Sequence, residues 1–201
     1  MKRSNKAIFT VLAIVIISLF LVNVFVAAGP ENEKADPIQI LMENYFVIGQ
    51  TLSQDGFKGL GESAQKIGEA TSQILKEEKQ SSPEKKDFFA QVKAIQNAAQ
   101  KFEAKDLKSA QDSYKGLSQA VDKFVKTYGY SDSAYSFYCP MAKESWLQST
   151  DQIANPFYGS QMLRCGKMTG MVKEGKYLEK GAEEKDGHKH EGSSGHKGGC
   201  C

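Results

Sequence analysis

Soft metal-binding side chains concentrate in two parts of this 201-residue chain. One is a block from residue 139 to residue 171, which holds two of the four cysteines and four of the six methionines. The other is residues 188–201, which hold all three histidines and the other two cysteines. Thiolate, thioether and imidazole groups suit Cu(I), Ag(I) and Zn(II). The candidate metal ligands are Cys139, Met141, Met162, Cys165, Met168, His188, His190, His196, Cys200 and Cys201.

The block from 139 to 171 supports two interpretations. Proline in Cys139-Pro-Met141 fixes the local backbone and orients both sulfurs, and the Met162-x-x-Cys165 spacing places two sulfurs on one side of a helical turn. In an oxidising compartment, however, Cys139 and Cys165 are also candidates for a disulfide, with the methionines as packing residues. Trp146 is either a core residue or a face that stacks on a bound cation.

The second part is a tail that cannot build a core. Residues 188–201 contain four glycines and no aliphatic or aromatic side chain. The composition predicts a flexible tail that binds metal with low specificity and releases it on acidification, when imidazole and thiolate take up protons. The alternative is an incidental polar tail.

The N-terminus indicates export. Three basic residues, Lys2, Arg3 and Lys6, precede an apolar run from 7 to 28, which ends in small residues. This pattern is typical either of a cleaved signal peptide (1–28) or of an anchor in the inner membrane (7–28). Both predict a periplasmic or otherwise extracytoplasmic protein whose membrane contact is limited to this segment. The remaining charges nearly balance, which argues against nucleic acid as a partner.

Residues 36–128 show helical periodicity in four segments. Apolar residues recur every three or four positions, most regularly from Leu107 to Tyr128. Ser82 and Asp106 are candidate N-caps, Pro83 a first helical residue, and Gly129 a stop. Short connections predict an antiparallel up-down four-helix bundle.

After Gly129 the helical periodicity fades and turn residues become frequent. The sequence therefore predicts an all-α domain over 36–172. Its four helices end at 128, and a turn-rich Cys/Met block covers 129–172. A disordered tail follows over 173–201.

Four short motifs carry a family resemblance. They are Tyr138-Cys-Pro-Met-Ala142, Trp146-Leu-Gln148, Ile153-Ala-Asn-Pro-Phe-Tyr-Gly159 and Met162-Leu-Arg-Cys-Gly166. Their order resembles the CPM…WLQ…NPYYG…MLxCG block of the DUF3347 family, a group of exported bacterial domains of unassigned function. The resemblance covers about residues 36–172. Phe157 stands where the family usually has tyrosine.

The resemblance implies a role in metal handling at Cys139, Met141, Met162 and Cys165, and it implies no enzymatic reaction. Related domains occur with periplasmic adaptors of copper and silver efflux systems, so envelope proteins of such a system are expected partners. The chain lacks the Cys-Pro-x-Cys-Gly-Met half of the small metal-binding domain of those adaptors. A stand-alone accessory protein is therefore expected.

The leading hypothesis is an exported protein that sequesters or transfers a soft ion, Cu(I) or Ag(I), with Zn(II) as a further candidate cofactor. The alternative is a structural or interaction module of the envelope, closed by a Cys139–Cys165 disulfide. Enzymatic chemistry is not expected. No histidine precedes residue 188 to act as a general base, and the chain has no Cys-x-x-Cys pair.

Overall fold

The computed structural model describes residues 36–76 and 83–180. Within these ranges a helical part is followed by a sheet. The helices are α1 (Pro37–Ser53), α2 (Leu60–Lys76), α3 (Lys86–Gln100) and α4 (Leu107–Tyr128). The strands are β1 (Ala134–Cys139), β2 (Glu144–Gln148), β3 (Lys167–Lys173) and β4 (Lys176–Glu179). Short 3₁₀ helices cover Pro83–Lys85 and Gly159–Met162.

The four predicted helices are confirmed, together with two of their ends. Asp106 caps α4, because its carboxylate accepts the Ser109 backbone N–H at 2.7 Å in a reciprocal capping box. Gly129 ends this helix with a φ of 77°, a conformation that glycine adopts without strain. Pro83 begins the 3₁₀ turn and not α3 itself. The candidate cap Ser82 lies outside the described residues.

The predicted all-α class is wrong, and so is the four-helix bundle followed by loops. Residues 134–179 form a four-stranded antiparallel sheet in the order β2-β1-β3-β4. The sheet packs against α4 and α1, so the molecule has a helical layer and a sheet layer. Strand β4 lies within the segment 173–201 that composition assigned to the tail, so the sheet extends past 172.

The sheet does not show the regular alternation of polar and apolar residues by which strands are predicted from sequence. The ladder between β1 and β3 is irregular at Ser136 and Phe137, and both of these consecutive side chains of β1 are buried. Ser136 is polar yet fully buried. Its burial is tolerated because its hydroxyl donates a hydrogen bond to Asp122 of α4 at 3.3 Å. Strands β3 and β4 are joined through Glu174 and Gly175, both with positive φ, as in a two-residue type I′ turn.

Buried hydroxyl groups join the two layers. The Tyr45 hydroxyl of α1 accepts the Leu147 backbone N–H of β2 at 3.0 Å and lies 2.8 Å from Ser118 Oγ of α4. Ser118 in turn donates to the Ser145 carbonyl at 2.8 Å. Burial raises the pKa of Tyr45 to about 12 and that of neighbouring Tyr114 well above its ordinary value. Both phenols are therefore neutral at physiological pH.

Membrane insertion was predicted only for residues 7–28, which lie outside the described residues. Over 36–76 and 83–180, no helix combines the length and the apolar character needed to cross a bilayer.

Candidate functional site

The two internal cysteines meet at one end of the sheet. Cys139 is the last residue of β1, and Cys165 lies just before β3. Antiparallel pairing of Tyr138 with Lys167 brings these two chain segments side by side. The Cys139 and Cys165 sulfurs lie 3.7 Å apart, and both side chains are buried. The sheet register therefore creates a thiol pair from residues 26 positions apart in sequence.

A tight turn after β1 supplies one hydrogen-bond donor to this pair. Residues 140–143 connect β1 to β2, and Lys143 closes the turn with a φ of 56°. The Ala142 backbone N–H points back to Cys139 Sγ at 3.4 Å. Met141, at the outside of the same turn, is 55% exposed. The turn thus buries the cysteine of the Cys-Pro-Met motif and leaves its methionine at the surface.

A buried amide supplies the second donor. Asn155 is fully buried, and its Nδ2 donates to Cys139 Sγ at 3.3 Å and to the Cys165 carbonyl at 2.8 Å. Its Oδ1 accepts the Phe157 backbone N–H at 2.9 Å, and its own backbone N–H donates to the Leu163 carbonyl at 2.9 Å. All of these polar groups are satisfied, as the burial of an amide requires. Asn155 therefore connects both cysteine segments with the loop between them.

Buried aromatic rings lie beside this region. Trp146 is 1% exposed, stacks on Phe137 at 5.3 Å between ring centroids and meets Phe157 edge-on at 5.8 Å. A Cβ at Gly166 would lie only 2.7 Å from Trp146 Cη2, so this position next to Cys165 requires glycine. Of the two interpretations of Trp146, these contacts favour the core residue.

A second side-chain amide holds the loop beside the thiol pair. Gln148 Oε1 accepts from Trp146 Nε1 at 3.0 Å and from the Ala154 backbone N–H at 3.2 Å. Its Nε2 donates to the carbonyls of Thr150 and Gln152 at 2.8 and 2.6 Å. Gln148 therefore supports the same loop as Asn155, but through contacts with the indole and the backbone.

The helical layer anchors the far end of this loop. Asp55 follows α1 with a φ of 59°, and its Oδ1 accepts the Ser160 backbone N–H at 3.1 Å. Gly159 lies so close to this carboxylate that a Cβ there would collide with it. The Asn-Pro-Phe-Tyr-Gly motif is thus fixed at Asn155 by the thiol region and at Gly159 by the helices.

The predicted sulfur ligands separate into three groups. Cys139 and Cys165 come together in the core. Met162 and Met168 are half-buried, and the Met162 carbonyl accepts the Cys165 N–H at 2.9 Å. Met141 is mainly exposed. The tail ligands His188, His190, His196, Cys200 and Cys201 lie outside the described residues.

The described residues contain no metal site built from histidine, cysteine and carboxylate ligands. Over residues 36–76 and 83–180, no group of three or more such side chains is placed to hold an ion. That finding concerns histidine, cysteine and carboxylate ligands only, so the expected site of cysteine and methionine sulfurs stays a prediction. What the described part of the chain offers is a pair of thiols.

Two residues of this site were missed as functional candidates. The sequence indicated Asn155 only as part of an Asn-Pro turn, and it indicated Gln148 only as the last residue of the Trp-Leu-Gln motif. A signal was available for Asn155, because an asparagine between Ala154 and Pro156 in an otherwise apolar stretch must satisfy its amide in the core. Its sulfur partner depends on the fold and not on local sequence.

Comparison of the chain with protein-family models, with curated proteins and with solved structures finds no match.

Proposed function

We propose that the chain binds one soft cation, Cu(I) or Ag(I), between the sulfurs of Cys139 and Cys165, and sequesters or transfers it outside the cytoplasm. The observation that carries this proposal is the 3.7 Å separation of the two sulfurs. Two thiolates bound to one tetrahedral ion at about 2.3 Å stand about 3.8 Å apart. The pair therefore needs almost no rearrangement of its sulfurs to hold a tetrahedral ion, which takes two further ligands besides the thiolates.

The surroundings support a soft ion in preference to a hard one. Thioethers favour Cu(I) and Ag(I), and the half-buried Met162 and Met168 pack against the same apolar core that contains the two buried cysteines. Phe137, Trp146 and Phe157 are buried beside one another in the same core as the two cysteines, and an apolar environment of this kind suits a thiolate-bound Cu(I). The exposed Met141 is a suitable first contact for an incoming ion.

The same distance also favours a second function, a disulfide-closed module of the envelope. A disulfide bond is about 2.05 Å long, so the two sulfurs would have to approach each other. Closure by exchange with a small disulfide breaks two S–H bonds, forms one S–S bond and reduces that disulfide to two thiols. The oxidised chain could no longer bind an ion at this position.

One experiment separates the two functions. In the full chain, Cys200 and Cys201 are changed to serine and the three tail histidines to asparagine, which leaves only the internal thiols. A thiol count on the unreduced, denatured protein gives two for a metal-binding pair and none for a disulfide. Cu(I) is then titrated against a chromophoric chelator.

We expect one Cu(I) per reduced chain, with affinity lowered more than about 100-fold by Cys139→Ser plus Cys165→Ser, since losing a ligand costs more than losing a supporting residue. Met141→Leu serves as the control and is expected to leave the equilibrium affinity within a few-fold. Unchanged affinity in the double serine variant would refute the metal-binding proposal.

A further inference from the structure

One face of the β3–β4 hairpin points away from the helices. Side chains alternate between the two faces of a strand, so Met171 and its register partner Leu178 share one face. Tyr177 lies on the opposite face, which packs toward the helical layer, and Lys126 Nζ of α4 is 5.5 Å from its ring centroid. Met171 and Leu178 therefore belong to the outer surface of the sheet, which we call the β3–β4 face.

Apolar side chains at the centre of the β3–β4 face are in contact with solvent. Met171 is 36% exposed, and Leu178 beside it is half-buried. Neither is among the residues that pack against the hydrophobic core of the described chain. Tyr135 of β1 pairs with Met171 from the other side, so the three side chains form an apolar strip across three strands.

Lysines without carboxylate partners surround this strip. Lys173 and Lys176 lie opposite each other where β3 and β4 meet. Lys180 follows β4 in the same alternation, and its backbone N–H donates to the Thr169 carbonyl at 2.9 Å. All three lysines are exposed. The ion pairs formed between described residues involve other lysines, so these three ammonium groups have no carboxylate within the described part of the chain.

This arrangement of lysines favours an anionic partner. Like charges directly opposite each other on neighbouring strands destabilise a sheet. Lysine on an edge strand prevents unwanted strand pairing, which accounts for Lys176 of β4. It does not account for Lys173, because β3 is paired on both sides. Nearby carboxylates do not relieve the repulsion, since Glu179 lies on the opposite face and Glu174 of the turn forms no ion pair with a described residue.

We propose that the β3–β4 face docks on an anionic lipid surface. The ammonium groups of Lys173, Lys176 and Lys180 contact lipid phosphates, while Met171 and Leu178 lie at the level of the headgroups. Lysine stems extend along apolar surface and keep their charged ends in a polar environment, so both kinds of group reach the same surface.

A bilayer surface matches both parts of the β3–β4 face. It offers anionic headgroups with an apolar layer beneath them, whereas a soluble anion offers charge alone. The inference is independent of metal binding. It adds a second membrane contact to the one predicted for residues 7–28.

Methionine methyl groups provide the first test. The full chain is labelled with ¹³C-methyl methionine and mixed with nanodiscs that contain phosphatidylglycerol and a lipid with a spin-labelled headgroup. Met171 lies on the β3–β4 face, exposed Met141 follows the far end of β1, and Met42 is fully buried. We expect the spin label to broaden the Met171 signal several-fold more than the Met141 signal, and the Met42 signal least. Met171→Leu and Met141→Leu assign the two exposed signals.

Charge reversal provides the second test. Each lysine at an anionic surface raises binding about 5-fold. The combined variant Lys173→Glu, Lys176→Glu and Lys180→Glu should therefore lower the docked population more than roughly 100-fold and reduce Met171 broadening to the level of Met141.

The matched control reverses three exposed lysines of the helical layer. Lys86 and Lys93 lie in α3, and Lys101 follows its last residue. Changing these three to glutamate alters the net charge by the same amount and should leave the broadening of Met171 unchanged. Nanodiscs of phosphatidylcholine alone should not broaden Met171 more than Met141 in the wild type, a comparison that needs no folded variant.

Four results would overturn the proposal. Equal broadening of Met171 and Met141 with anionic nanodiscs would exclude docking through this face. An equal loss in the control variant would show that net charge, and not these lysines, directs the contact. A Met171 shift of the same size with soluble glycerol 3-phosphate would assign the lysines to a soluble anion. A Met171 signal that changes with protein concentration in the absence of lipid would assign the face to a second copy of the chain.

Discussion

The helical layer and the thiol region solve the problem of burial in different ways. Helices α1 to α4 bury mainly apolar stripes, and most of their charged residues lie on exposed faces, as in the surface pair of Lys66 and Glu62. The thiol region buries Cys139, Cys165 and Asn155 beside aromatic rings and satisfies them with directed hydrogen bonds. A buried amide is tolerated only when all its groups find partners, so its presence requires a specific local geometry.

This difference locates the chemistry of the molecule. The helical layer tolerates changes that keep its apolar volume, because its packing is not directional. The thiol region depends on individual donors and on close contacts at Gly166 and Gly159. We therefore expect substitutions of equal size to have different consequences in the two regions. Two pairs of variants test this, and a third pair tests the contact between the helical layer and the sheet.

The largest effect is expected from removal of a buried aromatic side chain. Trp146→Ala and Phe124→Ala each delete a ring that is 1% exposed, at a cost of about 3–5 kcal/mol in the free energy of unfolding. Both losses are measured by urea denaturation. Only Trp146 packs beside the thiol region, where it contacts Gly166 next to Cys165. Only Trp146→Ala should therefore speed alkylation of Cys139 and Cys165 beyond what its lost stability explains. Equal acceleration in both variants would contradict the protective role of Trp146.

Glycine-to-alanine changes are expected to have opposite signs in the two regions. At Gly166, a methyl group would meet Trp146 Cη2 at 2.7 Å on a backbone with a φ of 152°. Overpacking of this kind costs about 1–3 kcal/mol. At Gly68, in α2, the Cβ position is open, and alanine should stabilise the helix by about 0.5–1 kcal/mol. Urea midpoints that move in the same direction would show that the contact at Gly166 is easily relieved.

The contrast between the regions also decides what the sequence could predict. The helices were predicted because periodicity and caps are local: Asp106 needs only Ser109, three residues away. The sheet was missed because Ser136, a polar residue of β1, is buried against Asp122 of another element, and because the next residue, Phe137, is buried as well, so β1 does not alternate between polar and apolar residues. Strand β4 has only four residues, two of them charged, so its composition resembles that of the predicted tail.

The candidate site was predicted in part for the same reason. The residue types and the motif order identified Cys139 and Cys165, and both the metal-binding and the disulfide hypotheses require them to meet. Their meeting depends on the pairing of Tyr138 with Lys167, which no local pattern specifies. Asn155 and Gln148 make their contacts only once that register has formed. The sequence therefore indicated Asn155 only as a turn residue and Gln148 only as the last residue of the Trp-Leu-Gln motif.

A moderate effect is expected at the hydroxyl that joins the two layers. Tyr45→Phe leaves the Leu147 backbone N–H of β2 without its acceptor, which should cost about 1–2 kcal/mol at neutral pH. Burial raises the pKa of Tyr45 to about 12 in the folded chain, from an ordinary value of 10.0. As the pH rises above 10, the unfolded chain loses this proton first, so the wild type loses stability between pH 10 and about 12.

The phenylalanine variant lacks this proton, so its free energy of unfolding should fall less steeply over the same interval. Urea titrations at pH 7, 9 and 11 measure the difference, with Tyr128→Phe as the control. Tyr128 also has a pKa raised to about 12, but through its hydrogen bond to Asp87 at the surface, where solvent screens the interaction. If both variants flatten the alkaline slope equally, burial at the joint between the layers is not what makes Tyr45 sensitive to pH.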